Sequence, residues 1–190
     1  LLLAPGSRRQ ELVRIVPILV RSIDELRRAG IDPEPLRVSM APGVDPVLLQ
    51  PLVDAGAKPT SEELFTELRQ ARAAIVCSGT ATVEAALAGT PHVIVYRTGS
   101  ITYAIARRVA TVEHIGMANI VLGRRAFPEL LQGDLDAARL ARTAAPLLEA
   151  GSEESRSQIR ASEEVRSALG GPGCFGRVAD LAMDCLRGRS

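Results

Sequence analysis

The sequence predicts an α/β fold: a Rossmann-like parallel sheet with helices on both faces, followed by C-terminal helices. Two observations predict it. From Leu1 to Val95, short apolar runs alternate with segments of helical periodicity in the order β-α-β-α-α-β-α-β. That alternation implies parallel strands joined by crossover helices. Within it, Cys77 to Pro91 reads as a tight polar turn and a short helix between two buried strands, Ala73–Val76 and Val93–Val95. A length of 190 residues with 46% apolar content suits one such domain. We assign that domain to residues 1–169 and treat 170–190 as a linker and a terminal helix.

Leu1-Leu2-Leu3-Ala4 is the first strand, and Pro5-Gly6-Ser7-Arg8 is the turn after it. Ser7 and Gln10 have capping-box spacing. Leu12, Ile15, Val16, Leu19, Ile23 and Leu26 then keep helical spacing up to Gly30. Pro17 inside that helix is expected to kink it or loosen one backbone bond. Leu36–Met40 is the next strand, and Asp45-Pro46 opens a helix with Asp as cap and Pro in the first turn. Between Pro51 and Pro59 the pattern is too weak to place a strand. Thr60 and Glu63 suggest another capping box, for a helix ending near Ala71. Thr80 is expected to cap the short helix after Ser78-Gly79, which Gly89 ends and Pro91 stops.

Beyond Val95 the chain reads as a loop to Ser100, a helix from about Ile101 to Ala110, and a mixed segment from Glu113 to Leu122. Pro128–Gln132 precedes a cap at Asp134 and a helix to about Leu148. A charged helix from Ser152 to Leu169, the linker Gly170–Gly173, and a helix from Phe175 to Leu186 with an apolar stripe complete the chain.

A formal net charge of +1 and the lack of a long basic run argue against a nucleic-acid surface. No apolar run approaches the roughly 20 residues of a membrane span. Cys77, Cys174 and Cys185 share no metal-ligand spacing, and an odd number without a secretory signal suits a reducing cytosol. No metal or cofactor is expected. The chain opens at Leu1 within a strand-like run, so we expect it to belong to a longer protein with a preceding part.

The chemistry centres on two turns at the same edge of the expected sheet. Ser78-Gly79-Thr80 leads into a helix whose first N–H groups, Ala81 included, point outward where the helix dipole favours an anion. Gly6-Ser7-Arg8 follows the first strand; Gly6 lets the backbone approach a ligand, and Arg8 is a fork donor for phosphate oxygens. Glu84, one turn deeper than Thr80, can accept hydrogen bonds from a sugar diol, and Asn119 can serve a base or a diol. A nucleotide diphosphate fits this set. The plainer alternatives are that Ser78–Thr80 is only a helix cap and that Glu84 only complements the dipole. His92 and His114 are the available imidazole bases, though His92 falls in a strand and reads better as a packed core residue.

In order and spacing, Pro5-Gly6-Ser7-Arg8 with Glu11, Ser78-Gly79-Thr80-Ala81-Thr82-Val83-Glu84-Ala85, Val95-Tyr96-Arg97, Asn119-Ile120 and Pro128-Glu129-Leu130-Leu131-Gln132 resemble the lipid-A-disaccharide synthase family. The resemblance runs from Leu1 to about Leu148. It implies the C-terminal, donor-binding half of a two-domain GT-B glycosyltransferase that joins the sugar of UDP-2,3-diacylglucosamine to 2,3-diacylglucosamine 1-phosphate and releases UDP. It further implies that Arg8 and the Ser78–Thr80 turn meet the diphosphate, Glu84 the ribose, and Asn119 the nucleotide pocket. Tyr96, Arg97, Glu129 and Gln132 match positions near the cleft; for Glu129 and Gln132 a helix-capping cluster is an equal alternative. The general base would come from the other half. Location at the cytoplasmic face of the inner membrane, and a homodimer through the C-terminal part, follow from the same resemblance. The sequence departs from the family at Met117-Ala118, commonly Leu-Pro, and at His92, commonly Met. Two other readings stand beside this one. A UDP-N-acetylglucosamine 2-epimerase-like enzyme would carry an acidic run after the last strand's Arg, where Arg97 is followed by Thr98-Gly99-Ser100. A non-catalytic nucleotide-binding module is the other.

Overall fold

The computed structural model describes residues 1–98, 114–170 and 173–187. The helix expected from Ile101 to Ala110, the end of the loop before it, and the middle of the Gly170–Gly173 linker lie outside those residues. The elements in chain order are β1 (Leu2–Ala4), α1 (Arg9–Arg28), β2 (Arg37–Ser39), a 3-10 turn (Pro46–Leu49) running into α2 (Gln50–Asp54), β3 (Lys58–Thr60), α3 (Leu64–Gln70), β4 (Ala74–Cys77), α4 (Thr80–Ala88) and β5 (His92–Tyr96). After the undescribed segment come α5 (Met117–Leu122), β6 (Glu129–Leu131), α6 (Ala137–Leu148), α7 (Glu153–Leu169) and α8 (Cys174–Leu186).

The six strands form one sheet in the order β3-β2-β1-β4-β5-β6, and every pair is parallel. The chain winds outward from β1 to β3, then crosses back to β4 and winds outward the other way. The reversal lies between β1 and β4, where Leu3 stands opposite Ile75. Two neighbouring connections leaving in opposite directions open a crevice at the carboxyl ends of those strands.

Side chains alternate across the sheet, so β1, β4 and β5 feed cores on both faces. Leu3, Val38, Ile75, Val93 and Val95 face the larger one, closed by Leu12, Ile15, Leu19 and Ile23 of α1 and by Leu140, Ala144 and Leu147 of α6. Leu2, Ala4, Ala74 and Val76 face the other side against Leu68 of α3 and Ala85 of α4. Ile94 continues that second face toward Ala118, Phe127, and Ala161 and Val165 of α7. Coverage on both faces is what allows these strands to be almost wholly apolar.

Several expected boundaries shift. β6 forms where the sequence suggests only a lead-in to a helix. β3 begins in the stretch too weak to read and ends at Thr60, so Thr60 is a strand residue and α3 starts at Leu64. Thr60 Oγ1 instead donates to the buried Glu67 carboxylate at 3.1 Å. The cap of α1 is Arg8 rather than Ser7, and that of α6 is Asp136 rather than Asp134, its carboxylate accepting the Arg139 N–H at 2.8 Å. α1 continues through Pro17, which sits on the exposed face where solvent can take the freed carbonyl. α8 leaves Val178, Leu181, Met183 and Leu186 exposed. Among the described residues no helix is long and apolar enough to cross a membrane.

Candidate functional site

The crevice at the β1/β4 reversal is an open cleft of about 480 Å³. The β1–α1 turn contributes Gly6, Ser7 and Arg8, and the β4–α4 turn contributes Ser78, Gly79, Thr80 and Ala81, with Glu84 one turn along α4. Eight of the nine residues expected to bind a nucleotide therefore line one cavity; Asn119 does not.

Gly6 adopts φ +108°, and a Cβ there would lie 2.7 Å from Glu11 Oε2 and 3.2 Å from Cys77 Sγ. The glycine thus makes room for a neighbouring carboxylate and thiol, not only for a ligand. Glu11 is buried and reaches back to the start of its helix, accepting the Arg8 N–H at 3.4 Å and Arg8 Nη1 at 3.1 Å. The Arg8 side chain is 79% exposed, so most of its fork remains open to the cleft. Burial, with the Glu11 charge beside it, pushes the Cys77 thiol up to about 12. Cys77 therefore stays protonated and unreactive at neutral pH.

On the other wall, α4 is capped by Gly79 rather than by the Thr80 hydroxyl. Gly79 has φ +152°, and open space lies where its Cβ would be. The Thr82 N–H and hydroxyl both turn back to the Gly79 carbonyl, at 3.2 and 2.9 Å. The amides of Thr80 and Ala81, in the first turn, have no intrahelical acceptor and lie where the dipole is positive. Ser78 differs from the expectation: its N–H bonds to the Val95 carbonyl at 2.9 Å and its hydroxyl donates to the Ile115 carbonyl at 3.0 Å. Its donors hold the turn in place. Glu84 is half-buried and has no hydrogen bond or ion pair among the described residues.

Asn119 is wholly buried behind the wall. Its Oδ1 accepts the Ala126 and Phe127 N–H groups, and its Nδ2 donates to the Phe127 carbonyl and to Glu129. That uses its full hydrogen-bonding capacity, so none is left for a base or ribose. Glu129 is buried too, and its carboxylate accepts the N–H groups of Ile115 and Gly116, the cap of α5. Of the two readings of Glu129, the helix-capping one describes its contacts here. Gln132 has φ +50°; with its amide turned to satisfy both partners, it pairs with the backbone N–H and C=O of Thr98 at 3.2 Å each. Tyr96 ends β5 against the larger core, Arg97 follows it half-buried, and neither lines the cleft.

His92 lies at the amino end of β5, away from the cleft, and is buried. Burial lowers its pKa to about 4, which makes it the packed core residue that its strand position suggests. His114 is half-buried just before the Ile115–Gly116 turn and does not line the cleft. Glu11, Ser39 and Met117 do line it; of these, only Glu11 carried a signal in the sequence, its spacing of three from Arg8.

Comparison with known proteins shows the family. The family model described as lipid-A-disaccharide synthetase matches residues 1–172. A lipid-A-disaccharide synthase of Geobacter sulfurreducens is 35% identical over 97% of this chain and 48% of its own length. One of Anaeromyxobacter sp. (strain K) is 38% identical over 97% of this chain and 49% of its own. One of Acidobacterium capsulatum is 48% identical over 65% of this chain and 31% of its own. The chain spans about half the length of the first two. With a family match over nearly the whole sequence, this chain belongs to the lipid-A-disaccharide synthetase family.

Proposed function

We propose that the cleft binds the uridine diphosphate end of a UDP-sugar and that the chain is the donor-binding half of a lipid-A-disaccharide synthase. The observation that carries this reading is the meeting of two turns, Gly6–Arg8 and Ser78–Ala81, in one cleft where the strand order reverses, with the Glu84 carboxylate one turn deeper. In the reaction, a hydroxyl of 2,3-diacylglucosamine 1-phosphate forms a bond to the anomeric carbon of UDP-2,3-diacylglucosamine. The bond from that carbon to the β-phosphate oxygen breaks, and UDP leaves with the electron pair. The hydroxyl proton passes to a general base supplied by the rest of the protein. Charge growing on the departing diphosphate is met by the Arg8 guanidinium and by the Thr80 and Ala81 amides, the amides being fixed donors that need no rearrangement. Glu84 accepts from the ribose hydroxyls through charge-assisted bonds.

The acyl chains of both substrates favour reaction at a membrane surface, which the family resemblance implies is the cytoplasmic face of the inner membrane. The apolar stripe of α8 is then covered by the other half of the protein or by a second copy. Calorimetry with UDP, uridine and inorganic diphosphate tests the site. UDP should bind more tightly than uridine, and Arg8→Ala should weaken UDP by about tenfold to a hundredfold, one charge-assisted hydrogen bond of about 1.5–3 kcal/mol. Equal affinity for UDP and uridine would defeat the phosphate assignment.

A further inference from the structure

Behind the cleft wall lies a polar cluster to which the proposed reaction gives no role. Glu129 is 6% exposed, and three donors converge on its carboxylate: the Ile115 N–H at 3.1 Å, the Gly116 N–H at 2.9 Å and Asn119 Nδ2 at 2.8 Å. Asn119 is held from the far side by the Ala126 and Phe127 N–H groups, each at 2.9 Å. The turn that Glu129 grips is itself tied to the cleft, because the Ile115 carbonyl accepts the Ser78 hydroxyl at 3.0 Å. The fit is close: a Cβ on Gly116 would lie 2.3 Å from Ile94 Cδ1 and 3.1 Å from Glu129 Oε1. A continuous path therefore runs from a buried carboxylate, through one backbone turn, to the residue before Gly79.

We propose that Glu129, oriented by Asn119, is a positioning residue for the phosphate-binding turn Ser78–Ala81, acting through the Ile115–Gly116 backbone and the Ser78 hydroxyl. This rests on reading the cleft as the diphosphate site. Three donors need an acceptor at every point, and a carboxylate supplies that. An amide of the same shape presents an NH₂ group to at least one N–H. The turn it holds is then free to shift, and the Ser78 hydroxyl moves with the Ile115 carbonyl. Position matters here because the Thr80 and Ala81 amides stabilise a developing charge only when they are already aimed at it.

The test uses Glu129→Gln, Ser78→Ala and the double substitution, with the amide resonances of Gly79, Thr80 and Ala81 followed by NMR and UDP affinity measured by calorimetry. Each single substitution should move the same turn resonances and weaken UDP by roughly tenfold, the scale of one hydrogen bond. The double should lose no more than the worse single, because both cut one path. Losses that add would show Glu129 touching the ligand independently, and resonances that stay in place in either folded variant would show no coupling; both overturn the proposal. If Glu129→Gln does not fold, Ser78→Ala decides alone by the same resonances. If the parent protein fails to bind UDP while the substitutions still displace the turn, the positioning role stands and the nucleotide reading falls.

Discussion

Replacing His92 with Met should flatten the acid side of this protein's stability curve. His92 opens β5 with no exposed surface. Its ring stacks on Phe127 with centroids 4.3 Å apart. Nδ1 lies 2.9 Å from the Thr90 carbonyl, and Nε2 has no partner among the described residues. Burial lowers the pKa from 6.5 to about 4, and the bond to Thr90 opposes only part of that. The unfolded chain therefore takes up a proton at a higher pH than the folded one. The stability that comes from keeping this imidazole neutral is fully present above pH 6.5 and is lost as the pH falls toward 4. A gap of about 2.5 in pKa, at roughly 1.4 kcal/mol for each, gives about 3 kcal/mol in all, of which about 2 kcal/mol is gone by pH 5. Met fills the space with an apolar, adaptable side chain and does not titrate. Urea unfolding at pH 7.5 and pH 5 is the assay. The parent should lose about 2 kcal/mol more than His92→Met over that interval. Equal losses would refute the reasoning, since His92 would then titrate alike in both states.

Three further outcomes are expected. Glu84→Gln keeps shape and one acceptor but loses the charge; it should weaken UDP clearly while leaving inorganic diphosphate binding and the ligand-free melting temperature little changed. A parallel fall for both ligands would return Glu84 to a dipole role. Gly6→Ala must place a methyl 2.7 Å from Glu11 Oε2 at φ +108°; strain and crowding together should cost about 2–4 kcal/mol in urea unfolding, and an unchanged midpoint would mean that the turn rearranges freely. Truncation after Leu169 removes α8, whose Leu181 is 65% and Leu186 82% exposed. Light scattering should show any dimer lost with little change in melting temperature, whereas an unchanged mass with a large drop in stability would place α8 in this domain's own core.

Apart from β3, the order of strands and helices through Val95 was legible because each of the other elements there carries its own pattern. α1 repeats its apolar residues at helical spacing, and β1, β4 and β5 are apolar on both faces because both faces are covered. The two turns were legible for a similar reason: a glycine beside hydroxyl and arginine side chains after a buried strand is a local signal. β3 and β6 were not. Each is a three-residue edge strand containing Lys58 and Pro59, or Glu129, and only pairing with β2 or β5 makes it a strand. Caps at Ser7, Thr80 and Asp134 missed by one or two residues, because a cap depends on where the backbone leaves its extended course, which Arg8, Gly79 and Asp136 decide.

The sequence by itself determined the α/β class, the two turns and the residues, Arg8 and Glu84, whose chemistry suits a diphosphate and a diol. Tertiary structure alone decided that the turns meet, since that follows from the β1–β4 pairing and the reversal of strand order between them. It also decided which polar residues face outward and which face in. In the sequence, Asn119 read as a ligand of the nucleotide pocket, and Glu129 as either a residue near the cleft or part of a helix-capping cluster. Folded, they lie 2.8 Å apart under the wall and hydrogen-bond backbone instead. The reason is that a polar side chain's partner is set by what surrounds it once buried: where backbone N–H groups converge and water is excluded, an acceptor must be supplied from within.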